Sequence, residues 1–312
     1  MSDTKKITIN SLVASGELEN SDVEKYYLEN NFSSWIYEKG NYYPAIEVEV
    51  VKRVKSGVYK LGVLGDKVTC IPQKLISDSL YLLPDSQTIT ILQESKKFWE
   101  RTPKFAEYGM IHKRGILLEG PPGTGKTATI TLLINELLKE DGIVFLVGSS
   151  QDFTIIYDFY KNILRKIEPT RKIITVIEDI DKIATGPIEP QLLDFLDGKM
   201  SINHHLVIAT TNDSSGLSDA LLRPSRIDMR VIIDFPSSES RTIFFENKGV
   251  EKIDIEKFVN STTKFSISQL KELFIGTYVL GNNFDQVIEQ IKNPLTKKRY
   301  DSFEHNKPVL GF

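Results

Sequence analysis

Gly120-Pro121-Pro122-Gly123-Thr124-Gly125-Lys126-Thr127, directly after the apolar run Gly115-Ile116-Leu117-Leu118, decides how the rest of the chain is read. The pattern is Gly, four residues, then Gly-Lys-Thr, set between an expected strand and an expected helix. Glycines let the backbone turn its N–H groups inward, and a nest of such groups holds phosphate oxygens. A helix from about Gly125 to Leu138 adds its positive end, roughly half an elementary charge, to the same anion. Lys126 then reaches the terminal phosphates, and the Thr127 hydroxyl is placed to ligate Mg²⁺. Gly120 through Ala128 are the expected phosphate contacts. A plain glycine-rich turn would account for the glycines but not for the Lys-Thr pair.

A chain of 312 residues has room for about two or three domains, each able to bury a core. The formal net charge of −3 provides no field for holding nucleic acid. The nearest thing to a basic run, Lys297-Lys298-Arg299, reads as a solvated face. Cys70 is the only cysteine, so an intrachain disulfide and a cysteine-rich metal site are both excluded, in keeping with a cytoplasmic location. No uncharged apolar run approaches the roughly 20 residues that span a bilayer. Met1 to Lys6 lacks the apolar stretch of a secretory signal. The histidines at 112, 204, 205 and 305 show no metal-ligand spacing, and His204-His205 reads as a solvated loop ahead of a strand.

Residues 1–84 read as a separate module. Ser21 and Glu24 can cap a helix carrying Tyr26, Tyr27 and Leu28. Ile46, Val48 and Val50 then alternate with Glu47 and Glu49, a half-buried strand opening a short antiparallel meander that ends near Ile71. Leu83-Pro84-Asp85 is the expected linker. Over 85–236 the runs Gly115–Leu118, Ile143–Val147, Ile173–Ile177, Leu206–Ala209 and Val231–Ile233 are short and unalternated, as in a parallel sheet buried on both faces. Helical segments between them predict right-handed strand–helix–strand units. Residues 237–292 read as a small helical domain, with Ser266 and Gln269 as a capping box, and 293–312 as an irregular tail.

In an open parallel sheet, ligands bind beyond the carboxyl ends of the strands. Glu178 and Asp179 follow the third expected strand, and Thr210, Thr211 and Asn212 follow the fourth, so all gather with Gly120–Thr127. One carboxylate can hold Mg²⁺ through its water shell, and a second can orient the attacking water. Asn212 suits contact with that water or the terminal phosphate; its alternative is a turn or cap residue. Arg223-Pro224-Ser225-Arg226-Ile227-Asp228 offers two guanidinium groups that can stabilise charge on a transferring phosphoryl group. The alternative is a surface ion pair between Arg226 and Asp228.

The order of these motifs resembles the AAA clade of the AAA+ ATPases over roughly Leu83 to Leu280. Gly120–Thr127 looks like the Walker A loop, Ile173–Asp179 like Walker B, Asn212 like sensor 1, and Arg223 and Arg226 stand at the two arginine-finger positions. The resemblance implies an α/β P-loop core with a five-stranded parallel sheet, a helical lid at 237–292 and a distinct N-terminal module. It implies ATP and Mg²⁺, with Thr127 and, through water, Glu178 at the metal. It also implies a ring, as a hexamer, with fingers reaching the neighbour's ATP, and a protein substrate or adaptor recruited through the N-terminal module.

Three departures stand out. Walker B ends Glu178-Asp179, where the clade has Asp-Glu, so the water-orienting role passes to Asp179. That order, and Ile267-Ser268-Gln269-Leu270-Lys271, is similar to the AAA proteins that resemble the mitochondrial translocase of the Rieske protein. Ser225 stands where the clade has Gly between the fingers. The mitochondrial protein's membrane anchor has no counterpart in these residues, so its substrate is not carried over. Phe153 and Tyr157 are candidates for an aromatic pore grip, while Ile156, Phe159 and Tyr160 at helical spacing read as core. The competing function, a nucleic-acid-linked AAA+ machine, lacks a basic stripe and any DNA-binding motif.

Overall fold

The computed structural model describes residues 35–38, 41–44, 53–64, 67–75, 82–84, 87–197 and 203–293. They fall into two compact units, 1–54 and 55–312. In the first, β1 (Trp35–Glu38) and β2 (Asn41–Pro44) form an antiparallel pair with Glu38 opposite Asn41. The expected helix after Ser21, the alternating strand Ile46–Val50 and the tail with Lys297-Lys298-Arg299 lie outside the described residues.

The second unit is built on a sheet of seven strands. These are β3 (Gly57–Leu64), β4 (Lys67–Gln73), β5 (Lys113–Glu119), β6 (Ile143–Val147), β7 (Ile173–Ile177), β8 (His205–Thr211) and β9 (Met229–Ile232), in the order β4-β3-β6-β7-β8-β5-β9. β5 to β9 are parallel, as the unalternated runs predict. Every residue of β7 and β8 is buried, so a strand with a polar face would leave that face unsolvated.

The core sheet begins earlier than the sequence reading placed it. Gly57–Leu64 and Lys67–Gln73 were expected in the meander of the 1–84 module, yet β3 pairs in parallel with β6, Val58 opposite Val144. β6 would otherwise present a row of unpaired backbone groups at the sheet edge. β3 covers that edge and buries Val58, Tyr59 and Leu61.

Helices α1 (Thr88–Glu100), α2 (Thr102–Glu107) and α3 (Lys126–Lys139) precede and follow β5. Ile91, Phe98 and Trp99 of α1 and Ile130, Leu133 and Leu137 of α3 pack on Ile116, Leu118, Val144 and Ile174. The alternate residues of the strands point the other way. There α4 (Ser150–Phe159), which continues through a π-helical turn at Tyr160–Leu164, joins an aromatic layer of Phe145, Phe153, Phe159, Tyr160 and Phe195. His205 belongs to this layer rather than to a solvated loop. It is 1% exposed, and its Nε2 lies 2.8 Å from Thr175 Oγ1. β8 starts one residue before the apolar run, which turns His205 inward; half-buried His204 instead meets His112, Nδ1 to Nδ1 at 3.2 Å.

After short α5 (Ile180–Ile183), α6 (Ile188–Leu196) and β9, the chain forms a lid of α7 (Ser238–Asn247), α8 (Lys252–Ser261), α9 (Ile267–Phe274) and α10 (Phe284–Lys292). The lid has its own core around Phe245, Phe258, Leu270 and Leu273. The Ser266–Gln269 capping box forms in both directions and starts α9. Among the described residues no helix is long and apolar enough to cross a membrane.

Candidate functional site

β5 lies between β8 and β9, but the chain leaves it through α3 for β6, on the far side of β7 and β8. This reversal opens a crevice at the carboxyl ends of the strands. The loop 120–125 fills its mouth. Gly120 has φ 154°, and a Cβ there would sit 2.0 Å from the Ile233 carbonyl oxygen, so the position takes glycine alone. Gly123 (φ 77°) and Gly125 (φ 114°) lie in the left-handed region that favours glycine. The Thr124 hydroxyl donates to Pro121 O at 2.9 Å and braces the loop. α3 begins at Lys126, directing its unpaired N–H groups at the same place.

Lys126 is 9% exposed. Its Nζ donates to Gly120 O at 2.6 Å, Pro121 O at 3.0 Å and Asn212 Oδ1 at 2.8 Å. Burial lowers its pKa below the usual lysine range, and the charge of Asp179 opposes that shift. Lys126, Thr127, Glu178, Asp179, Thr210 and Asn212 line a single cavity of about 740 Å³. That volume falls within the usual range of ligand pockets, about 300–1,000 Å³. A nucleoside triphosphate fits this set: glycine backbone and Lys126 for the phosphates, with the Thr127 hydroxyl and the Glu178 carboxylate for Mg²⁺.

The exchanged order Glu178-Asp179 has a backbone rationale. Asp179 adopts φ 48°, ψ 56°, a left-handed conformation that the short Asp side chain tolerates better than most. Its N–H donates to Thr210 Oγ1 at 3.0 Å, tying the end of β7 to β8. Its Oδ2 accepts from Lys182 Nζ at 2.5 Å, and Lys182 is exposed.

The two arginines do not join this group, and neither lines the cavity. Arg223 is exposed and has no side-chain partner among the described residues. Arg226 does not pair with Asp228. It donates to Asp197 Oδ2 at 2.7 Å and to Ala220 O at 2.5 Å. Asp228 instead accepts from two backbone groups, Ser225 N at 3.0 Å and Gly115 N at 2.8 Å. Ser225, in place of the expected glycine, has φ 77°.

Phe153 is fully buried and packs edge-on against Phe195 at 5.5 Å, so it presents no grip. The Ser149 cap starts α4 at Ser150 and rotates Phe153 toward the sheet. Half-buried Tyr157 donates to Asp194 Oδ2 at 2.8 Å. The lid contact escaped the sequence reading. Ser268 N donates to Gly123 O at 3.1 Å, and Phe244, Lys248, Ile267 and Lys271 line the cavity from the lid. The one available signal was the capping box, which places the start of α9. Asp197 carried no signal.

Residues 116–235 match the family described as ATPase family associated with various cellular activities (AAA). The chain is 30% identical over 269 residues to the probable mitochondrial chaperone BCS1-B of Dictyostelium discoideum, which covers 73% of this chain and 57% of that protein. It is 28% identical over 216 residues to the mitochondrial chaperone BCS1 of Bos taurus, covering 62% and 50%. It is 30% identical over 199 residues to the ATP-dependent zinc metalloprotease FtsH 1 of Alkaliphilus metalliredigens, covering 56% and 33%. The chain thus spans between a third and a little over half the length of these relatives. With the phosphate loop, the acidic strand end and Asn212 meeting at one crevice, the stretch 116–235 of this chain is a domain of the AAA ATPase family.

Proposed function

We propose that this chain binds ATP in the cavity at Gly120–Thr127, hydrolyses it, and, within a ring of copies, uses the hydrolysis to remodel a protein partner. The observation that carries the reading is the convergence of Lys126, Thr127, Glu178, Asp179 and Asn212 on one cavity at the carboxyl edge of a parallel sheet. The chaperone and protease names of the relatives support a protein as the partner. The N-terminal residues are the proposed recruiter of substrate or adaptor.

Lys126 holds the terminal phosphates by turning at least one of its three ammonium protons to them from Gly120 O, Pro121 O or Asn212 Oδ1. Thr127, and Glu178 through water, hold Mg²⁺, which when bound neutralises phosphate charge. Asp179 orients the attacking water, exchanging Lys182 for it; an exposed lysine partner gives way at little cost. The Ser268–Gly123 bond lets the lid sense the loop. The arginine-bearing turn at 223–226 lies outside its own cavity and serves that of a neighbouring copy.

The test is phosphate release from Mg·ATP by wild type, Lys126→Ala and Asp179→Asn. Lys126→Ala loses turnover through lost nucleotide binding. Asp179→Asn keeps binding, stops turnover and retains its protein partner, which can then be isolated. Normal turnover by Asp179→Asn assigns the water to another group.

A further inference from the structure

The turn that carries Arg223 and Arg226 does not present them alike. The Arg226 side chain is only 16% exposed, and its Nε is buried. Both ends of its planar fork are used inside its own chain, one on Ala220 O and one on the carboxylate of Asp197, the residue that follows α6. A planar guanidinium held at two points is oriented, and its hydrogen bond to a carboxylate is charge-assisted. For Arg226 to reach another copy it would have to release both Ala220 O and Asp197, after which exposed Asp197 turns to water. Arg223 stands at the opposite end of the same turn. Its carbonyl accepts from Arg226 N and Ile227 N, both at 3.2 Å, while its side chain is exposed. Asp228 fixes the turn a third time, through Ser225 N and through Gly115 N on β5.

We propose that Arg223 alone reaches the neighbour's phosphates and that Arg226 is a positioning residue, stapled to Asp197 so that the turn presents Arg223 in a fixed pose. The inference rests on the ring reading above. A group that acts on charge in a transition state works through preorganisation, which the bonds from Arg226 to Ala220 O and Asp197 and from Gly115 N on β5 to Asp228 supply.

The experiment is a double-mutant cycle in the full chain, reading kcat and KM for ATP in wild type, Arg226→Ala, Asp197→Ala and the double variant. Each single substitution lowers kcat about tenfold with KM within about twofold, and the double is no worse than the poorer single, because the pair acts as one unit. Arg226→Lys, which keeps a cation opposite Asp197, recovers most of the turnover; Arg223→Lys does not, and Arg223→Ala loses about 10³-fold. Unchanged kcat in Asp197→Ala alongside a loss of about 10³-fold in Arg226→Ala overturns the inference, and so do multiplicative losses in the double. Mixing Arg223→Ala with Lys126→Ala protomers checks the ring reading separately. Recovered turnover with a failed cycle sinks the staple alone. No recovery at any ratio sinks the ring reading, and the staple's purpose with it.

Discussion

Gly115 and Arg226 approach so closely that a Cβ on Gly115 would lie 1.9 Å from the Arg226 carbonyl oxygen. The same two segments are joined by Asp228 N to Gly115 O and by Gly115 N to Asp228 Oδ2, both at 2.8 Å. The strand that ends in the phosphate loop and the turn that bears the arginines therefore move as one piece. Gly115→Ala pushes backbone against backbone. It should destabilise the chain by about 1–3 kcal/mol, the usual effect of overpacking, and lower turnover more than it lowers nucleotide affinity. A variant with wild-type melting and wild-type turnover contradicts this rigid link.

Ser225 carries positive-φ strain that a glycine would not. The left-handed region costs an L-residue about 1–2 kcal/mol, partly offset because glycine gains freedom in the unfolded chain. Ser225→Gly is expected to raise stability by about 0.5–1 kcal/mol in chemical denaturation, with turnover retained. A loss of stability would show that the Ser225 hydroxyl, 3.4 Å from Asp197, matters more than the backbone.

Asn212 accepts from Lys126 Nζ and lines the cavity, where its amide is within the proposed reach of the attacking water. Asn212→Ala leaves the lysine with its two loop carbonyls but removes the side-chain acceptor. Turnover should fall about 10- to 100-fold with KM for ATP changed by less than about fivefold, the pattern of a group acting mainly in the transition state. A large rise in KM with kcat intact argues instead for a purely binding role.

Lys113 supplies a pH test. Burial pushes its ammonium pKa down to about 8, against the pull of Asp228 and Asp197. Below that value both the folded and the unfolded chain carry the charge, but only the folded chain holds it poorly solvated, so the group destabilises the fold at neutral pH. Between about pH 8 and the unfolded value near 10.4 the folded lysine is neutral while the unfolded one stays charged, and stability recovers as pH rises. Lys113→Met should therefore melt higher than wild type at pH 7, with the gap closing toward pH 10. A gap independent of pH would remove this explanation.

The sheet and the site differ in how far the sequence exposes them. The strand–loop–helix around Lys126 is legible because turn chemistry, cation and hydroxyl all lie within eight residues, and the strand-end rule carries Glu178, Asp179 and Asn212 to the same crevice. β3 is not legible, because its parallel pairing with β6, Val58 to Val144, leaves no local signature. Phe153 misleads because an aromatic early in a helix reads alike whether it faces the sheet or a pore. The Arg226–Asp197 pair spans 29 residues without any spacing rule to join them. Arg226 and Asp228, two residues apart, therefore read as partners, although Asp228 is taken by backbone.

Phosphate release from Mg·ATP, measured per protomer across a dilution series, bears most directly on the proposal that the site works with a second copy. Turnover per protomer should rise with protein concentration to a plateau, fall away on dilution, and vanish in Lys126→Ala at every concentration. A rate per protomer that stays level at all dilutions, or one that survives Lys126→Ala, contradicts the account.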